Sequence, residues 1–247
     1  MLLTPFTTPR LQDSATSNLL NSKTSTLQDY LMFPIREVLA KCAAAVDGKY
    51  APAAMFGLRD EGYGSLFEQL VSSLISVRTY DETSTEVSRA LFQRARTPVQ
   101  MLKLERAELI DLIAKSTYPA AKADNILQLS QQIVDDYGGE TPADYDKLIA
   151  FKGVGPKVAS LALGVALNHP IIAVDIHVHR ITNRWGYVKT TKPDKTRDAL
   201  QEKLPEDLRV EINRVLVPFG KHICQGNYPK CNTCPVQEEC AQIGVKV

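Results

Sequence analysis

Apolar side chains recur along this chain at the helical period. Leu31, Ile35, Val38, Leu39 and Cys42 fall on one stripe, with Pro34 as a possible interruption. Leu66, Leu70, Val71, Leu74 and Ile75 form a second stripe within 65–76, as in a helix that faces a core. The pattern predicts further helices over 83–92, 104–113 and 119–137. Thr97-Pro98 reads as an N-cap and a first helical residue. Thr141-Pro142-Ala143-Asp144 reads as the start of a helix over 141–149. Later helices are expected over 176–185, 197–203 and 207–219, and residues 47–63 are expected to be a loop. Strand signals are nearly absent, and Pro170-Ile171-Ile172-Ala173-Val174 is the single β-like run. The pattern predicts an all-α fold, with helices of about 10 to 15 residues joined by short loops.

The first residues break this pattern. They are rich in Ser, Thr, Asn and Leu and carry Pro5 and Pro9, so residues 1–27 are expected to be a flexible extension. Asp13 and a count of only two basic residues argue against organelle targeting, and no secretory signal is visible. Hydrophobic residues make up 44% and charged residues 23%, as in an ordinary soluble protein. No apolar run approaches the roughly 20 residues that span a bilayer. The expected setting is intracellular, in bacterial cytoplasm or nucleoid, without a membrane partner.

A net charge of +1 gives no global argument for nucleic acid. Local charge does. Lys152, Lys157, His177, His179, Arg180, Arg184, Lys189, Lys192, Lys195 and Arg197 lie close in sequence, opposed by Asp175, Asp194 and Asp198. Such a run forms either a phosphate-binding face or a solvated helix surface.

Four of the five cysteines, Cys224, Cys231, Cys234 and Cys240, are spaced C-x6-C-x2-C-x5-C. This tight group suits an intracellular metal site better than a disulfide framework. Zinc sites usually use two close cysteine pairs, and only Cys231 and Cys234 form one. The wider flanking gaps favour a cluster whose corners are held separately. Cys42 stands apart in sequence and reads as a buried, inert thiol.

A helix over 145–151 and another over 158–167 are joined by Gly153-Val154-Gly155. Two glycines one residue apart allow a tight turn. Its N–H groups then either meet a phosphate at the second helix's N-terminus or form an ordinary helix-to-helix turn. Lys157 opens that second helix, where the positive end of the dipole and nearby Lys152 favour a neutral, nucleophilic amine. Its plainer role is to pair with a phosphate. Asp175 follows an apolar run and reads as the N-cap of the next helix, a role that leaves one oxygen able to face a cleft. Spacing alone does not bring Lys157 and Asp175 together.

Three stretches taken together resemble the endonuclease III family of DNA glycosylases, within the helix-hairpin-helix, glycine/proline-rich, aspartate superfamily. They are Phe151-Lys152-Gly153-Val154-Gly155-Pro156-Lys157-Val158-Ala159, Ile172-Ala173-Val174-Asp175-Ile176-His177-Val178-His179-Arg180, and the four-cysteine group. The resemblance covers about residues 30–240. It implies two α-helical domains with a DNA-binding cleft between them. One is a six-helix domain over 59–169 holding the hairpin at about 145–167. The other joins 28–58 to 170–247 around one [4Fe–4S] cluster on the four cysteines.

The same resemblance makes Lys157 the catalytic nucleophile and Asp175 the catalytic carboxylate. It assigns Gly153, Val154, Gly155, Lys152, His177, Arg180 and Lys230 to DNA contact. Tyr118 stands where some relatives carry the leucine that fills the gap left by a flipped base. Arg78 stands where a glutamine is common, and an arginine there is expected to shift lesion preference. Asp81 matches an acidic residue of the family and is expected to cap the helix that follows it. The loop 225–230 has few basic residues, leaving Lys230 with Lys221 and His222 to meet phosphate. Binding there is expected to be weaker or more salt-sensitive.

The implied activity is excision of oxidised pyrimidines from double-stranded DNA, followed by AP lyase cleavage, by a monomer. The alternatives are a glycosylase or AP lyase with altered or narrowed lesion preference, a monofunctional glycosylase, or a DNA-binding paralogue with little activity.

Overall fold

The computed structural model describes residues 33–245, so the expected extension over 1–27 lies outside the described residues. The α-helices are α1 (Ile35–Val46), α2 (Ala54–Asp60), α3 (Leu66–Ser76), α4 (Asp81–Phe92), α5 (Pro98–Met101) and α6 (Arg106–Leu112). They continue with α7 (Pro119–Tyr137), α8 (Tyr145–Ala150), α9 (Pro156–Leu167), α10 (Ile176–Arg184), α11 (Pro193–Lys203) and α12 (Glu211–His222). Short 3-10 turns occur at Glu206–Leu208 and Cys231–Thr233. No strand occurs among the described residues. The fold is all-α.

Local chemistry sets most of the boundaries. Pro34 stands just before α1 rather than inside it, because proline is tolerated at a helix start and not in its interior. Ser65 and Glu68 close a reciprocal capping box at the start of α3. Thr97 caps α5 through Gln100 N, with Pro98 next. Asp144 caps α8 through Lys147 N, so that helix starts at Tyr145 and not at 141.

Three expectations are corrected. The loop expected over 47–63 contains α2, a short helix whose Ala54, Met55, Phe56 and Leu58 are all buried. It has no side-chain cap and little polar contrast, so its signal is hidden in the sequence. The helix expected over 207–219 divides into a 3-10 turn and α12, which runs through Pro218 to His222. The β-like run 170–174 is extended but unpaired, and Asn213 donates to the Ala173 carbonyl.

α9 is the structural centre. It is buried on nearly all sides, from Val158 to Val165. Val158, Ala159, Ala162 and Leu163 belong to a core drawn from 66–163. Leu161 and Val165 belong to a second core with Ala54, Phe56, Leu58, Ala173 and Val217. One helix therefore forms a wall shared by two apolar clusters, which is why its sequence carries no polar face.

Candidate active site and cysteine cage

The glycine turn delivers Lys157 to solvent. Gly153 has φ +85°, a conformation that L side chains rarely adopt, and a Cβ there would lie 2.6 Å from Asn125 Nδ2. Gly155 differs. It is the N-cap of α9 with φ −94°, and nothing lies within 4 Å of where its Cβ would stand. Val154 buries its side chain in the core, and its N–H donates to the Phe151 carbonyl at 3.1 Å. Val154 therefore offers neither a side chain nor a spare donor to the surface. Pro156 is the first residue of α9, and Lys157, the second, is exposed, as is Lys152.

Asp175 caps α10. Its Oδ1 accepts from His177 N at 2.9 Å and from Val178 N at 2.8 Å. No hydrogen bond of Oδ2 is seen among the described residues, and the residue is half-buried. The cap was legible in the sequence; its position relative to Lys157 was not. After α9 the chain turns at Asn168 (φ 52°) and runs back along the helix. Ile171 and Ala173 line one cavity with Ser160, Leu161 and Gly164. Two further extended residues advance roughly 6.6 Å, close to the rise of about 6 Å for four helical residues. The Ile171 carbonyl lies 3.8 Å from where a Cβ on Gly164 would stand, so the chain returns beside α9, and continuing at that rise would carry Asp175 toward the helix end that bears Lys157. No ion pair or hydrogen bond joins them among the described residues, so the lysine amine is not tied up by the carboxylate.

The α10 end carries further charge. His177 is half-buried, and burial holds its imidazole below the ordinary value, opposed by Asp175 and Asp81 and assisted by Arg180 and Lys221. Asp81 does not cap α4 as expected. It is the first residue of that helix, Tyr80 is the cap residue, and no side-chain cap bond forms. The Asp81 carboxylate instead lies 3.5 Å from Lys221, which also pairs with Glu82. These contacts tie the start of α4 to the end of α12. Lys221 is thereby engaged within the protein, and His222 stacks on Tyr50 with ring centroids 4.0 Å apart. Lys230 is exposed.

Several residues of the basic run turn inward. Arg180 was expected at the DNA face, but its Nη2 donates to the Gly220 and Cys224 carbonyls, both at 2.9 Å, and contacts His177 Nδ1 at 3.1 Å. Arg184 is buried. It donates to the Gln225 carbonyl at 2.6 Å, the Gly226 carbonyl at 2.7 Å and Cys224 Sγ at 3.3 Å. His179 pairs with Thr196 at 2.6 Å. Charge in the sequence marked these residues as a face; their spacing on a helix packed against α12 makes Arg180 and Arg184 internal braces.

All four clustered cysteines line one cavity with Arg184, Phe219, Ile223 and Lys230, and none is in a disulfide. Burial pushes the Cys234 thiol up to about 11, and the neighbouring cysteines add to that. Arg184 and the backbone N–H of Gln242, 3.4 Å from Cys240 Sγ, donate to two of the sulfurs. Among the described residues, no three Cys, His, Asp or Glu side chains converge as ligands of a single ion. Cys42 is buried on α1 as expected, but tertiary structure brings it near the cage: burial, then Cys234, Cys224 and Cys240, push its thiol up.

Arg78 and Tyr118 are both exposed, and both adopt left-handed backbone, at φ 56° and φ 53°. Arg78 follows α3, and Tyr118 precedes Pro119 at the start of α7. The sequence also gave no warning of Tyr228, 89% exposed at the tip of the first cysteine loop.

A family model described as HhH-GPD superfamily base excision DNA repair protein matches residues 71–206. The chain is 41% identical over 174 residues to endonuclease III of Thermotoga maritima, covering 70% of this chain and 82% of that protein. It is 38% identical over 177 residues to endonuclease III-like protein 1 of Gallus gallus, covering 70% of this chain and 63% of that longer protein. A solved trapped endonuclease III–DNA covalent intermediate superposes with TM-score 0.71 at 27% identity, over 84% of this chain and 94% of that one. The chain belongs to the HhH-GPD superfamily of base excision DNA repair proteins and, within it, to the endonuclease III family. No helix among the described residues is long and apolar enough to cross a membrane.

Proposed function

We propose that this protein is a bifunctional DNA glycosylase and AP lyase that removes oxidised pyrimidines from double-stranded DNA. The reading is supported by the exposed amine of Lys157 in the first turn of α9 and by the Asp175 carboxylate, which caps α10 through one oxygen on a chain that returns beside α9.

In this reading a damaged nucleotide leaves the stack, and its sugar enters the cleft at the start of α9. The Lys157 amine forms a bond to C1′ as the glycosidic bond breaks, and the base departs with the bonding electrons and takes up a proton. Asp175 Oδ2 accepts a proton from the amine and stabilises positive charge developing on the sugar. The sugar ring then opens to a Schiff base. Loss of a C2′ proton expels the 3′ phosphate by β-elimination. Phosphates on either side are held by the first-turn N–H groups of α9, which have no intrahelical partner, and by Lys152, His177 and Lys230. Arg78 and Tyr118 occupy the space the nucleotide vacates. The two-domain division is part of the proposal; Ile35–Val247 form one compact unit in which α9 is shared by two apolar clusters.

The four cysteines are proposed to hold one [4Fe–4S] cluster. Free thiols lining one cavity, and N–H donors aimed at two sulfurs, fit thiolate ligation. Its contribution is structural: it fixes the loop that presents Tyr228 and Lys230. The protein is proposed to act as a monomer.

The two glycines separate fold from contact. Gly153→Ala is expected to cost about 1–2 kcal/mol of stability, because the left-handed backbone then carries a side chain. Gly155→Ala has no such strain and should lose at most about 1 kcal/mol, the difference between glycine and alanine at an N-cap. It should weaken affinity alike for every lesion, since the phosphate contact reads no base. A loss confined to one lesion would contradict this role.

The direct test incubates the protein with duplexes carrying thymine glycol, dihydrouracil, an abasic site or 8-oxoguanine, with and without borohydride. Cleavage at the pyrimidine lesions with a trapped adduct supports the reading. Base release without trapping points to a monofunctional glycosylase. Cleavage of the abasic site alone makes it chiefly a lyase, and no activity in cluster-loaded protein sinks the proposal.

A further inference from the structure

Lys122 is a buried cation without a carboxylate. It lies in the first turn of α7, is 7% exposed, and forms no ion pair among the described residues. Its Nζ donates to the Ile75 carbonyl at 2.6 Å, Thr79 Oγ1 at 2.8 Å and Thr117 Oγ1 at 3.3 Å. An ammonium has three donors, and here each finds an acceptor. Ile75 supplies one of the last carbonyls of α3, which a helix leaves unpaired and which favour a cation. Burial alone lowers the Lys122 amine to about 8, a measure of how poorly solvated the site is.

The two hydroxyls extend the network between two loops. Thr79 Oγ1 and Thr117 Oγ1 are 2.9 Å apart. Thr117 N donates to Thr79 Oγ1 at 3.2 Å, and Thr117 Oγ1 donates to the Val77 carbonyl at 3.2 Å. Val77 and Thr79 flank Arg78, and Thr117 precedes Tyr118. Both residues bracketed in this way carry left-handed backbone. That conformation costs a non-glycine residue on the order of 1–2 kcal/mol, and it persists only where surrounding contacts over-determine it. The network is that over-determination, and it acts on both strained residues at once.

We propose that Lys122, acting through the Thr79 and Thr117 hydroxyls, is a positioning residue that sets the spacing of Arg78 and Tyr118 for entry into the base stack. This rests on the reading above that those two side chains occupy the space of the extruded nucleotide. The role belongs to extrusion and not to the chemistry at C1′, so it should matter most for an intact, stacked lesion.

The test uses full-length Thr117→Val, which removes the hydroxyl at nearly constant volume, with Thr117→Ser as the rescue and Lys122→Met as the second variant. Three readouts are compared: single-turnover base release from a thymine glycol duplex, borohydride trapping on a preformed abasic duplex, and the fluorescence rise of 2-aminopurine opposite the lesion on binding. Thr117→Val should lower base release about tenfold, the rate equivalent of one hydrogen bond. Trapping on the abasic duplex should change less than about threefold, the fluorescence rise should shrink, and Thr117→Ser should restore both affected readouts. Lys122→Met should repeat the pattern. Equal losses of release and trapping, tracking a lower melting temperature, would reduce the network to fold support and overturn the proposal, as would no change in fluorescence. Absence of trapping in the unaltered protein would sink the lyase reading, while the fluorescence comparison would still decide the positioning role.

Discussion

Replacing Lys157 with alanine is expected to abolish the borohydride-trapped adduct and to lower base release by about three orders of magnitude or more, the scale of losing a nucleophile. The fold should not change. The side chain is exposed, makes no ion pair among the described residues, and sits in the first turn of a helix anchored by Val158, Ala159, Leu161 and Leu163. Its melting temperature should therefore match the unaltered protein, and duplex affinity should fall only modestly, by the loss of one positive charge. Trapping that survives in a well-folded Lys157→Ala protein would move the nucleophile elsewhere. Lys152 would be the first residue to examine, since it is also exposed on the same turn.

Asp175 admits a cleaner separation, because one oxygen caps α10 and the other is the one proposed to act on the lysine. Oδ1 accepts both N–H groups at the start of α10. Asparagine caps a helix about as well as aspartate, so Asp175→Asn should keep stability within a few tenths of a kcal/mol. Asp175→Ala should lose about 1 kcal/mol, the usual value of a cap. Both should lose base excision, by about a hundredfold or more, because an amide neither takes a proton from the lysine amine nor stabilises a cationic sugar. Thermal melting beside single-turnover excision checks both halves. A well-folded Asp175→Asn protein with unchanged excision would confine Asp175 to its cap.

Much of the architecture was legible because helices announce themselves locally. The stripe from Leu66 to Ile75, the Thr97-Pro98 start and the Asp175 cap all rest on contacts within a turn or two of sequence. The helix α2 was not legible, because Ala54 to Leu58 is apolar without contrast and its amphipathic face is made by neighbours that arrive from residues 161, 173 and 217. The extended run 170–174 shows the reverse error. Its β-branched residues fit an extended chain, and only the lack of a partner strand withholds a sheet.

The candidate site divides in the same way. The residue types and their order along the chain were readable from sequence: the glycine turn with its lysine, the capping aspartate, and the four-cysteine spacing. Whether Lys157 and Asp175 meet was not, since 18 positions separate them and only the path of the chain back beside α9 can close that gap. Charge misled where burial intervened. The run holding Arg180 and Arg184 read as either a phosphate face or a solvated helix surface, yet both side chains brace the cysteine loop through its carbonyls and, for Arg184, one sulfur. Lys122, Thr79 and Thr117 carry no motif, because a hydrogen-bond network across 43 positions leaves no periodic trace. Sequence alone determined most of the helices and which chemistry is present, because those follow from short-range sterics and residue type. Only the tertiary structure decided which charges face solvent and which groups meet, because burial and contact depend on elements distant along the chain.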